Sequence, residues 1–133
     1  MNSNDRPNTA TALRFSAEHL ELFATALLQR AGVEESIADV VADVLVEGDL
    51  LGHDTHGLQL LAPYLGDLDR GMMLGNGEPR VLAERASVTT WDGERLPGPW
   101  LVRQAIAWAR PRAQMHGSAT VVIRKDDGGP IGT

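Results

Sequence analysis

The sequence predicts a mixed α/β chain in an α+β arrangement, helices first and a strand–helix–strand segment after them. Apolar residues recur at helical spacing through the first half, and beyond Pro79 they collect into short β-prone runs. Turn-forming residues concentrate between the two, from Gly71 to Pro79. At 133 residues the chain has the length of one domain or part of one.

Residues 1–14 carry Asn, Thr, Ser and charge with no apolar run, and are read as a disordered tail. Ser16 is placed to cap a first helix whose apolar side is Leu20, Phe23, Leu27 and Leu28, with Gly32 as its stop. Ile37, Val40, Val41, Val44 and Leu45 form the stripe of a second helix. Its opposite side repeats Glu35, Asp39, Asp43 and Glu47, like charges that repel by a few tenths of a kcal/mol per pair, so it is read as a solvated face. A third helix follows Gly52, capped by Asp54 or Thr55, with Leu58, Leu61, Leu65 and Leu68 on its buried side and Gly71 at its end. Pro63 lies inside that pattern and demands a kink or a late start. Residues 15–76 are thus read as a helical unit and 77–133 as a partial βαβ segment.

In the second segment, Val81–Glu84 and Ser87–Trp91 read as strands, and Asp92-Gly93 as a turn. Leu101, Val102, Ala105, Ile106 and Trp108 predict a helix that Pro111 ends or bends. Ala119–Arg124 reads as a buried strand, completing a βαβ crossover. So small a sheet needs a helix or another chain to cover it.

Composition removes several function classes. Eighteen acidic against 12 basic residues, a net charge of -6, argue against a nucleic-acid or anionic-membrane surface. Without cysteine there is no thiolate metal site, redox pair or thiol nucleophile. No apolar leader and no run of about 20 apolar residues is present, so a cytoplasmic location is expected.

The densest polar cluster in an apolar neighbourhood is Gly52-His53-Asp54-Thr55-His56-Gly57. Its imidazoles suit proton transfer near neutral pH, and a helix start there suits an anion. The same residues also serve as plain helix caps, and His53, Asp54 and His56 suggest a metal site short of a further donor. His19 and His116 are read as structural. No G-x-G-x-x-G or G-x-x-x-x-G-K-[ST] pattern follows a strand, so no standard Rossmann or phosphate-loop signature is present.

The run from Ala42 to Gly57, with Asp49-Leu50-Leu51-Gly52-His53-Asp54-Thr55-His56-Gly57 at its end, resembles the malate/L-lactate dehydrogenase family. The resemblance continues through Tyr64, Gly71, Trp91-Asp92-Gly93, Gly98 and His116-Gly117 to Arg124. It implies the N-terminal part of a non-Rossmann fold that reduces a 2-oxo acid, such as the oxo form of malate, lactate or ureidoglycolate, with NADH or NADPH. It implies His56 as the proton donor to the substrate carbonyl, Thr55 and His53 as substrate contacts, a homodimer, and no metal; cofactor-binding residues are not assigned. Leu60 stands where the family carries an arginine suited to grip a carboxylate. Lys125-Asp126-Asp127-Gly128-Gly129 stands where the family carries an Asn/His-His-x-Gly-like segment beside the nicotinamide. A changed reading frame or early stop near Arg124 would explain that departure. The chain alone is accordingly expected to be inactive, and the alternative is a non-catalytic remnant serving as a helical interaction module.

Overall fold

The computed structural model describes residues 16–52 and 57–124. Helices α1 (Ala17–Arg30) and α2 (Glu35–Leu50) are followed by a short 3-10 turn (Leu58–Leu60) and α3 (Leu61–Asp69). Strands β1 (Arg80–Arg85) and β2 (Val88–Asp92), helix α4 (Gly98–His116) and strand β3 (Thr120–Arg124) complete the order. This is the predicted α+β layout.

Local chemistry explains the helix ends. The Ser16 hydroxyl accepts from the His19 amide at 3.1 Å, capping α1. Gly32 follows α1 with φ +97° and Gly71 follows α3 with φ +72°, a left-handed backbone that glycine adopts without penalty. Helix α3 does start late. Pro63 is its third residue, where an amide has no intrahelical acceptor to lose.

The core is one cluster: Ala24 and Leu28 of α1, Ile37, Ala38, Val41, Ala42 and Leu45 of α2, and Leu61, Leu96 and Leu101 from the segments beyond. Phe23, assigned to the buried side of α1, is 61% exposed, and Ala24 takes the inward position instead. Successive helix positions point about 100° apart, so with Ala24 and Leu28 facing the core Phe23 is turned outward. On α3 only Leu61 is buried, and Leu65 and Leu68 pack half-buried against the same cluster.

The segment from Gly71 to Pro79 is not a free tether. The Glu34 amide donates to the Gly75 carbonyl at 2.8 Å, and the Leu74 amide donates to the Arg95 carbonyl at 2.8 Å. A Cβ on Gly75 would come within 2.8 Å of the Gly32 carbonyl oxygen and the Val33 Cα, so this contact admits only glycine.

The sheet has the order β1-β2-β3. Strands β1 and β2 pair antiparallel with a register irregularity between Val81 and Ala83, and β2 pairs parallel with β3. Thr89 and Trp91 are buried, while their neighbours on the other face are half-buried or exposed. Strand β3 alternates likewise, with Val122 46% exposed, so it is a half-buried edge strand and not the buried strand its Val/Ile run predicts. Strand β1, at the other edge, is exposed throughout.

Helix α4 runs through Pro111 to His116 and ends on Gly117 at φ +88°, so the proline does not terminate it. Pro111 and Ala107, whose carbonyl loses its donor, both lie on the exposed side, where water can hydrate that carbonyl. The Arg112 guanidinium also donates to the Trp108 carbonyl at 2.8 Å. Pro111→Ala restores the missing amide and is expected to stabilise the chain by about 1–3 kcal/mol. A urea midpoint unchanged or lowered would show that the proline costs the helix nothing.

Candidate functional site

The polar cluster falls where α2 hands over to the 3-10 turn. His53, Asp54, Thr55 and His56 lie outside the described residues; both flanks lie inside them. On the near side, α2 closes with the Leu51 amide donating to the Glu47 carbonyl and the Gly52 amide to the Asp49 carbonyl, each at 3.0 Å. Gly52 has φ +78°, which turns the chain sharply out of the helix.

On the far side, the Leu58 amide donates to Asp49 Oδ2 at 3.0 Å. Gly57 is buried against the same carboxylate, and a Cβ there would overlap Asp49 Oδ1. Asp49 therefore fastens the chain immediately after His56 back onto the last turn of α2. A carboxylate in the last turn of a helix faces the negative end of the dipole, and α2 has no basic residue there to offset it. Asp49 is tolerated because it satisfies an otherwise unpaired amide at the start of the 3-10 turn. This residue was absent from the candidates read in the sequence. The available signal was an unmatched acid at a helix end, ahead of a glycine.

Gly57→Ala should force the Asp49 carboxylate off the Leu58 amide and cost about 2–3 kcal/mol. Asp49→Ala costs a similar amount, and the double variant little more than Asp49→Ala alone, because the clash has gone. Additive losses in that cycle, measured by denaturation, would refute the clamp.

Leu60 is half-buried and lines an open groove of about 460 Å³ with Val44, Tyr64, Val102 and Ile106. The cation among the described residues lining it is Arg103, whose guanidinium is held by Asp43 at 2.9 Å. The acidic face of α2 is thus solvated at Glu35, Asp39 and Glu47, and paired at Asp43. His19 and His116 are both exposed, the second in the last turn of α4. Among the described residues no group of three His, Asp or Glu is placed to hold a metal, and no helix is long and apolar enough to cross a membrane.

The junction of β2 with α4 is where an α/β fold would bind a dinucleotide phosphate, and its residues do not fit one. The Gly93 amide donates to the Arg124 carbonyl at 2.6 Å, the Glu94 amide to Asp92 Oδ1 at 2.9 Å and the Leu96 amide to the Gly93 carbonyl at 3.0 Å. Pro97 and Pro99 bring no amide at all to the helix start. Few donors remain for a pyrophosphate.

The fold is similar to solved structures of dehydrogenases over most of this chain. A malate dehydrogenase structure from Pyrococcus horikoshii superposes with a TM-score of 0.81 at 30% identity, over 85% of this chain and 32% of that one. A dehydrogenase structure from Sinorhizobium meliloti gives a TM-score of 0.77 at 33% identity, over 84% of this chain and 33% of that one. Hydroxycarboxylate dehydrogenase B of Escherichia coli strain K12 is 33% identical over 110 residues, 83% of this chain and 30% of the relative. The malate/L-lactate dehydrogenase family model matches residues 15–127, and the chain belongs to that family. It spans about 30% of the length of these curated relatives.

Proposed function

We propose that this chain carries the proton-donor segment of an NAD- or NADP-dependent 2-hydroxy acid dehydrogenase. In this reading the cofactor is held by polypeptide beyond the third of the family's length that the chain spans, and the catalytic unit is a cytoplasmic homodimer. The single observation that carries it is the fastening of Gly57 and Leu58 to Asp49, directly behind His56, inside a segment that matches the family model.

As the substrate carbonyl is reduced at carbon, its oxygen gathers negative charge and needs a proton. The His56 imidazolium supplies it and, in the reverse direction, the neutral ring takes it back. Thr55 and His53 contact the substrate from the same loop. A proton donor acts only if its nitrogen is held within hydrogen-bond reach of the oxygen, and the bond from the Leu58 amide to Asp49 fixes the chain two residues after His56. Leu60 supplies no carboxylate grip, so the substrate carboxylate is held by another group of the site.

The test is titration with NADH and NADPH, followed by 2-oxo acids, while cofactor absorbance is recorded. The chain is assayed alone and mixed with the polypeptide that spans the remaining two-thirds of the Escherichia coli relative. Cofactor oxidation in the mixture and none in the chain alone is expected. No turnover in either, with both parts folded, would favour the second reading, a non-catalytic interaction module. Among the described residues no strand pairs with the outer edge of β3, which is the observation in favour of that reading.

A further inference from the structure

Strand β3 uses only one side of its backbone within the sheet. The Thr120 amide donates to the Ser87 carbonyl at 2.8 Å, and the Arg124 carbonyl accepts from the Gly93 amide at 2.6 Å. In a parallel ladder the N–H and C=O of one residue point to the same side, and successive residues alternate. Thr120, Val122 and Arg124 therefore turn their backbone groups toward β2, and Val121 and Ile123 turn theirs to the outer edge. Among the described residues no strand lies there to meet those groups. Side chains alternate across the sheet: Val122 is 46% exposed on its open face, and Ile123 packs against the core on the other.

The two edges of the sheet are built differently. Strand β1 carries Arg80, Glu84 and Arg85 and a register irregularity between Val81 and Ala83, devices that keep an edge strand from pairing. Strand β3 runs Thr120-Val121-Val122-Ile123, all β-branched, with no charge before Arg124, no proline and no irregularity in its register. Exposed backbone groups on such a strand are a template for another strand.

We propose that β3 pairs with β3 of a second copy of this chain, antiparallel about a two-fold axis at Val122. The backbone groups themselves set this register. With Val122 opposite its counterpart, Val121 of each copy faces Ile123 of the other. Each facing pair then exchanges both N–H···O bonds, which satisfies every outward group of the two residues. The Val122 side chains meet as a non-hydrogen-bonded pair, with Cα atoms about 4.5 Å apart, and cover each other's exposed apolar surface. Arg124 of each copy faces Thr120 of the other, so no like charges oppose one another. A slip of one residue would set outward groups against residues whose own groups face β2, and would forfeit the bonds. The sheets of the two copies thus join into one, with β1 at both outer ends. Neither His56 nor a cofactor takes part, so the inference stands apart from the dehydrogenase reading.

Sedimentation equilibrium of the full chain is expected to show a concentration-dependent dimer, in which the Val121 and Ile123 amides are protected from hydrogen exchange. Val122→Lys and Val122→Glu, at an exposed position, should each weaken dimerisation about tenfold, because like charges then meet on the axis. Mixing the two variants in equal amounts should restore it, since the new charges are then opposite in sign, and a misfolded variant could not give that rescue. Val121→Pro removes an edge amide that β2 does not use, and should abolish the dimer. A chain that stays monomeric with exchanging edge amides would overturn the proposal. A monomer with protected Val121 and Ile123 amides would give the edge to residues 125–133 instead. A dimer that both charge variants leave intact, or that mixing fails to restore, would place the interface elsewhere.

Discussion

His56→Ala is expected to lower kcat by roughly 100- to 10,000-fold in the preparation that turns over, the usual contribution of a positioned general acid. Cofactor binding should be unchanged, because no part of the dinucleotide is assigned to this loop. KM for the 2-oxo acid should change far less than kcat, since the interaction lost is one made as charge develops on the carbonyl oxygen. Asp49→Ala should fall between wild type and His56→Ala in kcat, because it frees the anchor behind the imidazole and leaves the imidazole in place. A His56→Ala variant that retains most of its rate would remove the proton-donor assignment, whatever the cofactor titration shows. Equal losses of kcat/KM carried wholly by KM would make His56 a binding residue instead.

Leu101→Ala is expected to destabilise the chain by about 3 kcal/mol, and Val102→Ala by no more than about 0.5 kcal/mol in either direction. The two side chains are neighbours on α4 and both belong to the apolar set predicted for that helix. Leu101 is fully buried in the cluster formed with α2 and Leu96, so its removal leaves a cavity in the core. Val102 is 54% exposed and borders the groove beside Leu60. Against a total stability of roughly 5–15 kcal/mol for a domain, the first loss is large. Denaturation with urea separates the two variants, and equal losses would mean that the face of α4 bearing Val102 is also covered in solution.

The stripe of α2 shows what periodicity captures well. Ile37, Val41 and Leu45 are buried, Val40 and Val44 are half-buried beside them, and Glu35 and Asp39 face water. A helix packed on one side must sort its residues in this way, so spacing alone reveals its inward face. Helix stops at Gly32 and Gly71 were legible for a similar reason, since the left-handed backbone is a property of the residue itself. Of the candidate site, the sequence showed the loop and its imidazoles. Asp49 was not among the candidates, because its role is set by a residue nine positions away.

What the sequence by itself determined, then, is whatever depends on a residue and its neighbours within a turn or two: the order of the elements, the cap at Ser16 and the family to which the His motif belongs. Tertiary structure alone decided which of several apolar residues is covered. Phe23, Val102, Ile106 and Val122 carry the same hydrophobic signal as Leu28, Leu101 and Ile123, yet the first four are at least 46% exposed. Tertiary structure also decided that Gly75 is a docking point, and that Trp91, Trp100 and Trp108, spread over two elements, share one cleft. Burial and unmet hydrogen bonds depend on what another part of the chain brings into contact, and local propensity contains no record of that partner.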